Sequence, residues 1–444
     1  MNSLANRRNL LYAAMALVLV GVGVLQSWSL ALTIVNLCII SAIMSLGLNI
    51  QWGYAGLFNA GVMGFAALGG LAAVLVSMPP VQETWAVGGG GVITAFIAVL
   101  ITVASCLFLY RYLHNRGYVF VAGLAAAAVA VVGYVFFRIF LSPAVDAIEQ
   151  VEPARTGYLG GMGLPIILSW PVGGLLAAGA AWVVGRVSLG LRADYLAIAT
   201  LGISEIIVAV LKNEDWLTRG VKNVNGLPRP TPYEVDLQET AWFIDMANNI
   251  GVSVQEFASI YVKLCYGALF LAVLLVVMFL AERALNSPWG RMMRAIRDNE
   301  DAAEAMGKDV KGRHLEVFVL GSAVIGIAGA MLTTLDGQFT PVSYQPLRFT
   351  FLIWVMVIVG GSGNNFGSVL GGFLVWFAWV EAEPIGLWMV EVITAGMAAD
   401  NALRLHLIDS AIYMRPITMG LILLLVLRFS PHGLIPERAQ STRH

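Results

Sequence analysis

Ser287-Pro-Trp-Gly-Arg-Met-Met-Arg-Ala-Ile-Arg-Asp-Asn-Glu-Asp-Ala-Ala-Glu-Ala-Met-Gly307 is a charged island between long apolar runs. A segment this rich in Arg, Asp and Glu needs a solvated place, so the runs beside it read as membrane spans that it separates. Its local chemistry predicts two short helices in tandem. Ser287 can cap the first, with Pro288 at the first helical position, where its missing N–H costs nothing. Asp298 or Asn299 can cap the second, and Gly307 stands where a left-handed residue ends a helix. Ala302, Ala303, Ala305 and Met306 would give that second helix a small, smooth face for the groove of another protein. An ordinary charged loop that fixes topology is the plainer alternative.

Working outward, the 444-residue chain is 59% hydrophobic and 12% charged, with a mean hydropathy of +0.79. Soluble domains carry roughly 25% charged residues, so the fold class is all-α, a polytopic integral membrane protein in one transmembrane domain over residues 1–444. The net charge of -1 argues against a nucleic-acid partner. At about 20 apolar residues per crossing, spans fall near 10–26, 30–50, 54–76, 92–112, 117–141, 166–185, 193–211, 263–281, 314–335, 349–360 with its continuation, 367–383 and 411–428, about twelve in all. The first run leads straight into the next, so no cleavable signal is expected. Gly360-Gly-Ser-Gly-Asn-Asn-Phe-Gly367 breaks the tenth and eleventh. Such breaks are tolerated only where protein or a water-filled cavity satisfies the freed backbone.

Twelve crossings place Arg7, Arg8, Arg111, Arg116, Arg186, Arg192, the cations of the 283–313 loop, Arg428 and Arg438 on one side. By the positive-inside rule the N-terminus, central loop and C-terminus are then cytoplasmic. The segments 142–160, 212–262 and 384–410 face outward. Pro228, Pro230 and Pro232 exclude a continuous helix in the second of these. The third, with Asp400, Arg404 and Asp409, would be an interfacial helix, a lid or a packed loop.

Signs of catalysis are lacking. There is no G-x-x-x-x-G-K-[ST], no H-E-x-x-H and no G-x-S-x-G, and Val87-Gly-Gly-Gly-Gly-Val92 reads as a flexible turn. Cys38, Cys106 and Cys265 are scattered small hydrophobes, and His114, His314, His406, His432 and His444 have no metal-ligand spacing. No cofactor or metal is expected, and no enzymatic activity. Glu205, in Thr200-Leu-Gly-Ile-Ser-Glu-Ile-Ile-Val-Ala-Val210, is the ionisable residue that stands out. A carboxylate at that depth is costly and expected at an interior, water-lined or paired position, whether to lock packing or to take part in transport. Gly53, Gly56, Gly61, Gly64, Gly69 and Gly70 thin the third span for close helix approach.

Four blocks, spread from about residue 46 to 434, now resemble one family. Leu48-Asn-Ile-Gln-Trp-Gly-Tyr-Ala-Gly-Leu57 is one, and Arg192-Ala-Asp-Tyr-Leu-Ala-Ile-Ala-Thr-Leu-Gly202 with Glu205 is a second. Ser287 to Gly307 is the third. Gly360 to Gly367 with Arg428-Phe-Ser-Pro-His-Gly-Leu434 makes the fourth. They resemble the permease subunits of branched-chain amino-acid ABC importers, best their LivM-like type. Asp301-Ala-Ala-x-x-x-Gly307 is similar to the E-A-A-x-x-x-G element by which such permeases dock their ATPases. The resemblance implies a coupling helix with Gly290, Arg291, Arg294, Ala295, Arg297, Asp301, Ala302, Ala303 and Gly307. It implies a substrate pathway that includes Asn49, Tyr54, Asn59, Thr200 and Glu205. It further implies a second homologous permease, two ABC ATPase subunits and a periplasmic binding protein, in a bacterial inner membrane. Arg291, Arg294 and Arg297 could also meet lipid phosphates, at roughly 1 kcal/mol each.

The chain departs from that family in three places. Val62 replaces a histidine usual after the first block. Thr218 to Leu227 is longer than its counterpart and carries Arg219 and Lys222. Residues 78–165 look inserted, with an additional pair of spans. A urea or short-amide importer shares these motifs, and a stand-alone secondary transporter using Glu205 is the alternative from another class.

Overall fold

The computed structural model describes residues 2–153, 156–398 and 401–437, so Asp400, Arg438 and His444 lie outside the described residues. The apolar helices are α1 (Asn2–Leu25), α2 (Trp28–Ala55), α3 (Val62–Ser77), α4 (Gly90–His114), α5 (Val119–Gln150), α6 (Ser169–Ser188), α7 (Ala193–Asn213) and α8 (Val254–Leu285). After α9 (Pro288–Asp298) and α10 (Glu300–Ala305) come α11 (Val310–Asp336), α12 (Pro346–Gly360), α13 (Asn365–Ile393) and α14 (Met414–Phe429). This is an all-α polytopic protein. Among the described residues ten helical runs are long and apolar enough to cross a membrane, the tenth being the 28 residues Ala402–Phe429 that end in α14. The other two expected spans, α3 and α12, have 16 and 15 residues. At 1.5 Å per residue they rise about 24 and 22 Å, short of a hydrocarbon core of about 30 Å.

Both short helices follow or precede a break built from glycine. Gly56, at φ 71°, ends α2 and returns its N–H to the carbonyls of Gln51 and Trp52. Gly361, at φ 118°, ends α12, a conformation that a side chain would strain. The core lies where α2, α3, α11, α12 and α13 meet, and it is built on backbone approach. A Cβ on Gly69 would collide with the Gly326 carbonyl, and one on Gly371 with the Met356 carbonyl.

The two ends of the bundle differ. At the loop end Arg8, Gly53, Arg297, Phe366 and Glu437 converge. At the strand end β1 (Val224–Asn225) pairs antiparallel with β2 (Gln338–Phe339), and Gln26 Nε2 donates to Glu381 Oε2 at 3.1 Å.

Several boundaries differ from those expected. α5 continues through Pro143 to Gln150, α8 begins at Val254 rather than near 263, and α13 runs through Pro384 to Ile393. Hydropathy marks the edge of the oily layer, whereas a helix ends at its caps. Ser253 provides one for α8, its Oγ accepting from Glu256 N at 3.3 Å. Within 384–410 that leaves, among the described residues, one short α-helix after α13, Ala402–Asp409, which runs on through a 3-10 turn at Ser410–Tyr413 into α14. Val87–Val92 is helical rather than a turn. Its glycines let the chain close on α5, since a Cβ on Gly91 would stand 2.6 Å from that of Ala144. α4 and α5 pack mainly on each other. The pair meets the body at the strand end, where Val81 N donates to Leu159 O at 3.1 Å and Leu159 N to Trp216 O at 3.0 Å.

Candidate functional site

The charged island folds as two capped helices. Ser287 Oγ accepts from Gly290 N at 3.4 Å, and Asn299, not Asp298, caps α10 by accepting from Ala302 N at 2.9 Å. Gly307 adopts φ 77°. Gly290 is buried under the preceding turn, where a Cβ would meet the Leu285 carbonyl. Arg291 and Ala295 are exposed on α9. On α10, Asp301, Ala302 and Ala305 are exposed and Met306 is 80% exposed. Ala303 corrects the expected smooth face: it is 9% exposed and packs into the core. On so short a helix one residue per turn must face the body, and Ala303 is that residue.

Arg294 and Arg297 turn inward as well. Arg294 Nη2 donates to Leu285 O at 3.2 Å. Arg297 Nη1 donates to the carbonyl of Gly53, and its Nη2 lies 3.0 Å from Glu437 Oε2. One guanidinium thereby ties α9 to the end of α2 and to the C-terminal segment. That segment is itself bonded to α12, with Leu434 N to Val359 O at 2.8 Å and Ile435 N to Gly360 O at 2.9 Å.

Above this clamp, buried amides knit the two helix breaks together. Asn49 Nδ2 donates to Asn365 Oδ1 at 3.1 Å, and Asn49 Oδ1 accepts from Gly363 N at 2.9 Å. Tyr54 donates its hydroxyl to Asn365 Oδ1, and Asn365 Nδ2 donates to Glu282 Oε1 at 2.9 Å. Across the other break, Asn59 Nδ2 donates to Gln51 Oε1 at 2.9 Å and Asn59 Oδ1 accepts from Gly61 N at 2.8 Å. Gln51 Nε2 reaches Phe318 O at 2.9 Å and Ser322 Oγ at 3.0 Å. Thr200 Oγ1 accepts from Ala60 N at 3.0 Å. Each bond satisfies a polar group that would otherwise cost about 1–3 kcal/mol to bury.

Asn49, Tyr54, Asn59 and Thr200 are thus brought to the two breaks. Glu205 is not. It is exposed on α7 and carries no ion pair among the described residues, so of the interior, water-lined or paired positions expected of it the chain by itself provides neither the buried nor the paired one. Tyr195, Ile198 and Ile206 share its exposed side, while Leu196, Thr200, Ser204 and Val208 face the body. Sequence reasoning missed Gln51, Glu282 and Asn365 in the polar network. Gln51 and Asn365 sit inside motif blocks, but nothing in their spacing set them apart. Glu381, 4% exposed with Oε1 unpaired, was missed too. A carboxylate among Trp, Val and Ala in an apolar run was the available signal.

Residues 117–427 match the family described as the permease component of the branched-chain amino acid transport system. The chain belongs to this permease family. It is 32% identical over 208 residues to the high-affinity branched-chain amino acid transport system permease protein LivM of Escherichia coli K12, covering 46% of this chain and 48% of that protein. The probable branched-chain amino acid transport permease protein LivM of Methanocaldococcus jannaschii is 28% identical over 268 residues, 60% of this chain and 67% of that one. The xylose transport system permease protein XylH of Escherichia coli K12 is 24% identical over 243 residues, 53% of this chain and 49% of that one. The permease spans about half the length of the curated relatives first matched. No solved structure matches it.

Proposed function

We propose that this permease forms half of the translocation pathway of an ATP-driven importer for branched-chain or other small hydrophobic amino acids. A second homologous permease, two ATPase subunits and a periplasmic binding protein complete it. The loop end faces the cytoplasm of a bacterial cell, with both termini there, and the strand end faces the binding protein. α9 and α10 seat in the ATPase through Arg291, Ala295, Asp301, Ala302, Ala305 and Met306. The carrying observation is Arg297: a single guanidinium holds α9 to the carbonyl of Gly53 and to Glu437, beside Gly363. Movement of α9 would therefore be felt at both helix breaks, and hence by Asn49, Tyr54, Asn59 and Thr200.

Glu205 and the outward side of α7 would line the seam between the two permeases, where an exposed carboxylate gains water or a partner instead of lipid. The 78–165 stretch, with its self-packed hairpin, is an addition beside that machine. A gentle detergent pull-down of the tagged chain, followed by mass spectrometry, tests the assembly. ATPase subunits and a second permease are expected. Recovery of the chain alone, repeated after cross-linking, would overturn it in favour of a stand-alone carrier centred on Glu205.

A further inference from the structure

A cavity of about 240 Å³ opens among α2, α11, α12 and α13, away from the α7 side that carries Glu205. Exposed Asp336, Gln338 and Ser343 stand at its strand-end mouth. Ile40, Met44, Met63, Leu352, Ile353 and Met356 line its deeper part. The three methionines give that floor an adaptable apolar surface.

Two polar atoms in its lining are buried without a partner, Trp376 Nε1 and Thr340 Oγ1. Both belong to the mouth half. α13 passes Cys38 at Phe373, whose carbonyl is 3.5 Å from Cys38 Sγ, so Trp376 lies about one turn nearer the strand end. An indole N–H can only donate, so it calls for an acceptor. Asp336 closes α11, where the helix dipole is already negative, and has no ion pair among the described residues. The mouth therefore offers a site for a cation beside donors for an anion, above an apolar floor.

We infer that this cavity binds a small aliphatic α-amino acid within the single permease chain. Asp336 holds the ammonium group, Trp376 and Thr340 donate to the carboxylate, and the branched side chain lies among Met44, Met63 and Met356. The site stands on its own geometry and shares only its ligand class with the proposed function. It would give the permease a subsite apart from the seam between two permeases.

The test is equilibrium binding of radiolabelled leucine to the full chain in lipid nanodiscs, with no ATPase or binding protein present. Saturable binding is expected, displaced by valine and isoleucine. Isovalerate, which lacks the ammonium group, should not displace it. Trp376→Phe should weaken leucine by about tenfold while leaving displacement by 3-methylbutylamine, which has no carboxylate, unchanged. Asp336→Asn should weaken both ligands. Glu304→Gln, exposed on α10 at the opposite end of the bundle, should change neither. Absence of saturable binding by the wild-type chain would overturn the inference. So would binding that survives in both Asp336→Asn and Trp376→Phe, or a phospholipid found in the cavity by native mass spectrometry. None of these results bears on whether ATPases are recovered in the pull-down.

Discussion

Arg297 Nη2 stands 3.0 Å from Glu437 Oε2, joining the charged island at residues 287–307 to the segment that follows α14. The same guanidinium donates to Gly53 O at the end of α2. Both side chains are about one-quarter exposed, 25% and 27%, so water weakens the pair without removing it. Its value lies in geometry more than in stability: it connects elements far apart in sequence at the point where the two helix breaks meet.

Arg297→Gln should therefore separate folding from coupling. Loss of a charge-assisted bond costs about 1–3 kcal/mol at most, so membrane levels should hold. Uptake in the assembled importer should fall by about tenfold or more, while binding-protein-independent ATP hydrolysis persists. Uptake at the wild-type level would show that the clamp carries no motion.

On α10 the inward and outward alanines should behave oppositely. Ala303→Trp forces a large ring into packed core and should destabilise by about 1–3 kcal/mol or more, read as a lower melting temperature of the detergent-purified chain. Ala302→Trp and Ala305→Trp point outward and should leave melting unchanged while reducing recovery of ATPase in the pull-down. Equal melting of all three variants would contradict the orientation of α10.

Asn365→Ala removes one amide that serves three side chains, Asn49, Tyr54 and Glu282. Buried groups left without partners cost about 1–3 kcal/mol each, so this variant should melt well below the wild type. Asn364→Ala, which loses the cap on α13 and a bond of 3.0 Å to Pro436 O, should cost about 1 kcal/mol. Reversed ranking would mean that the polar network is not what holds the breaks.

Glycines give a further contrast. Gly69→Val must push against the Gly326 backbone, and Gly123→Val has nothing within 4 Å of its new Cβ. The first should abolish stable expression, whereas the second should sit within about 0.5 kcal/mol of wild type. Fluorescence-detected size exclusion of tagged variants reads this directly.

Glu205→Gln should leave the melting of the isolated chain within about 0.5 kcal/mol, because its carboxylate is exposed. Uptake by the whole importer should nonetheless drop several-fold if that side lines the seam. Unchanged uptake, together with an unchanged pH profile, would exclude a role for its charge.

Sequence alone determined the class of this protein and most of its local structure. About a dozen apolar runs near span length, in a chain only 12% charged, leave too little polar surface to cover them in water, so the polytopic fold followed from composition and pattern. Caps are local chemistry, so Ser287, Pro288 and Gly307 announced the tandem helices before any packing was known. The motif blocks, met by resemblance, already contained the residues at both breaks. Which way a side chain faces was a different matter. Ala303 and Ala305 are alike in sequence, yet one is buried and the other exposed, because contact with the body selects one side of a single helical turn. Glu205 looked interior because its neighbours are apolar, but an apolar neighbour can face lipid or a second subunit as readily as a core. Arg297 could be counted but not paired, since Gly53 and Glu437 lie 244 and 140 positions away. Long-range pairing and the facing of each helix are set by packing alone, and only the tertiary structure decided them.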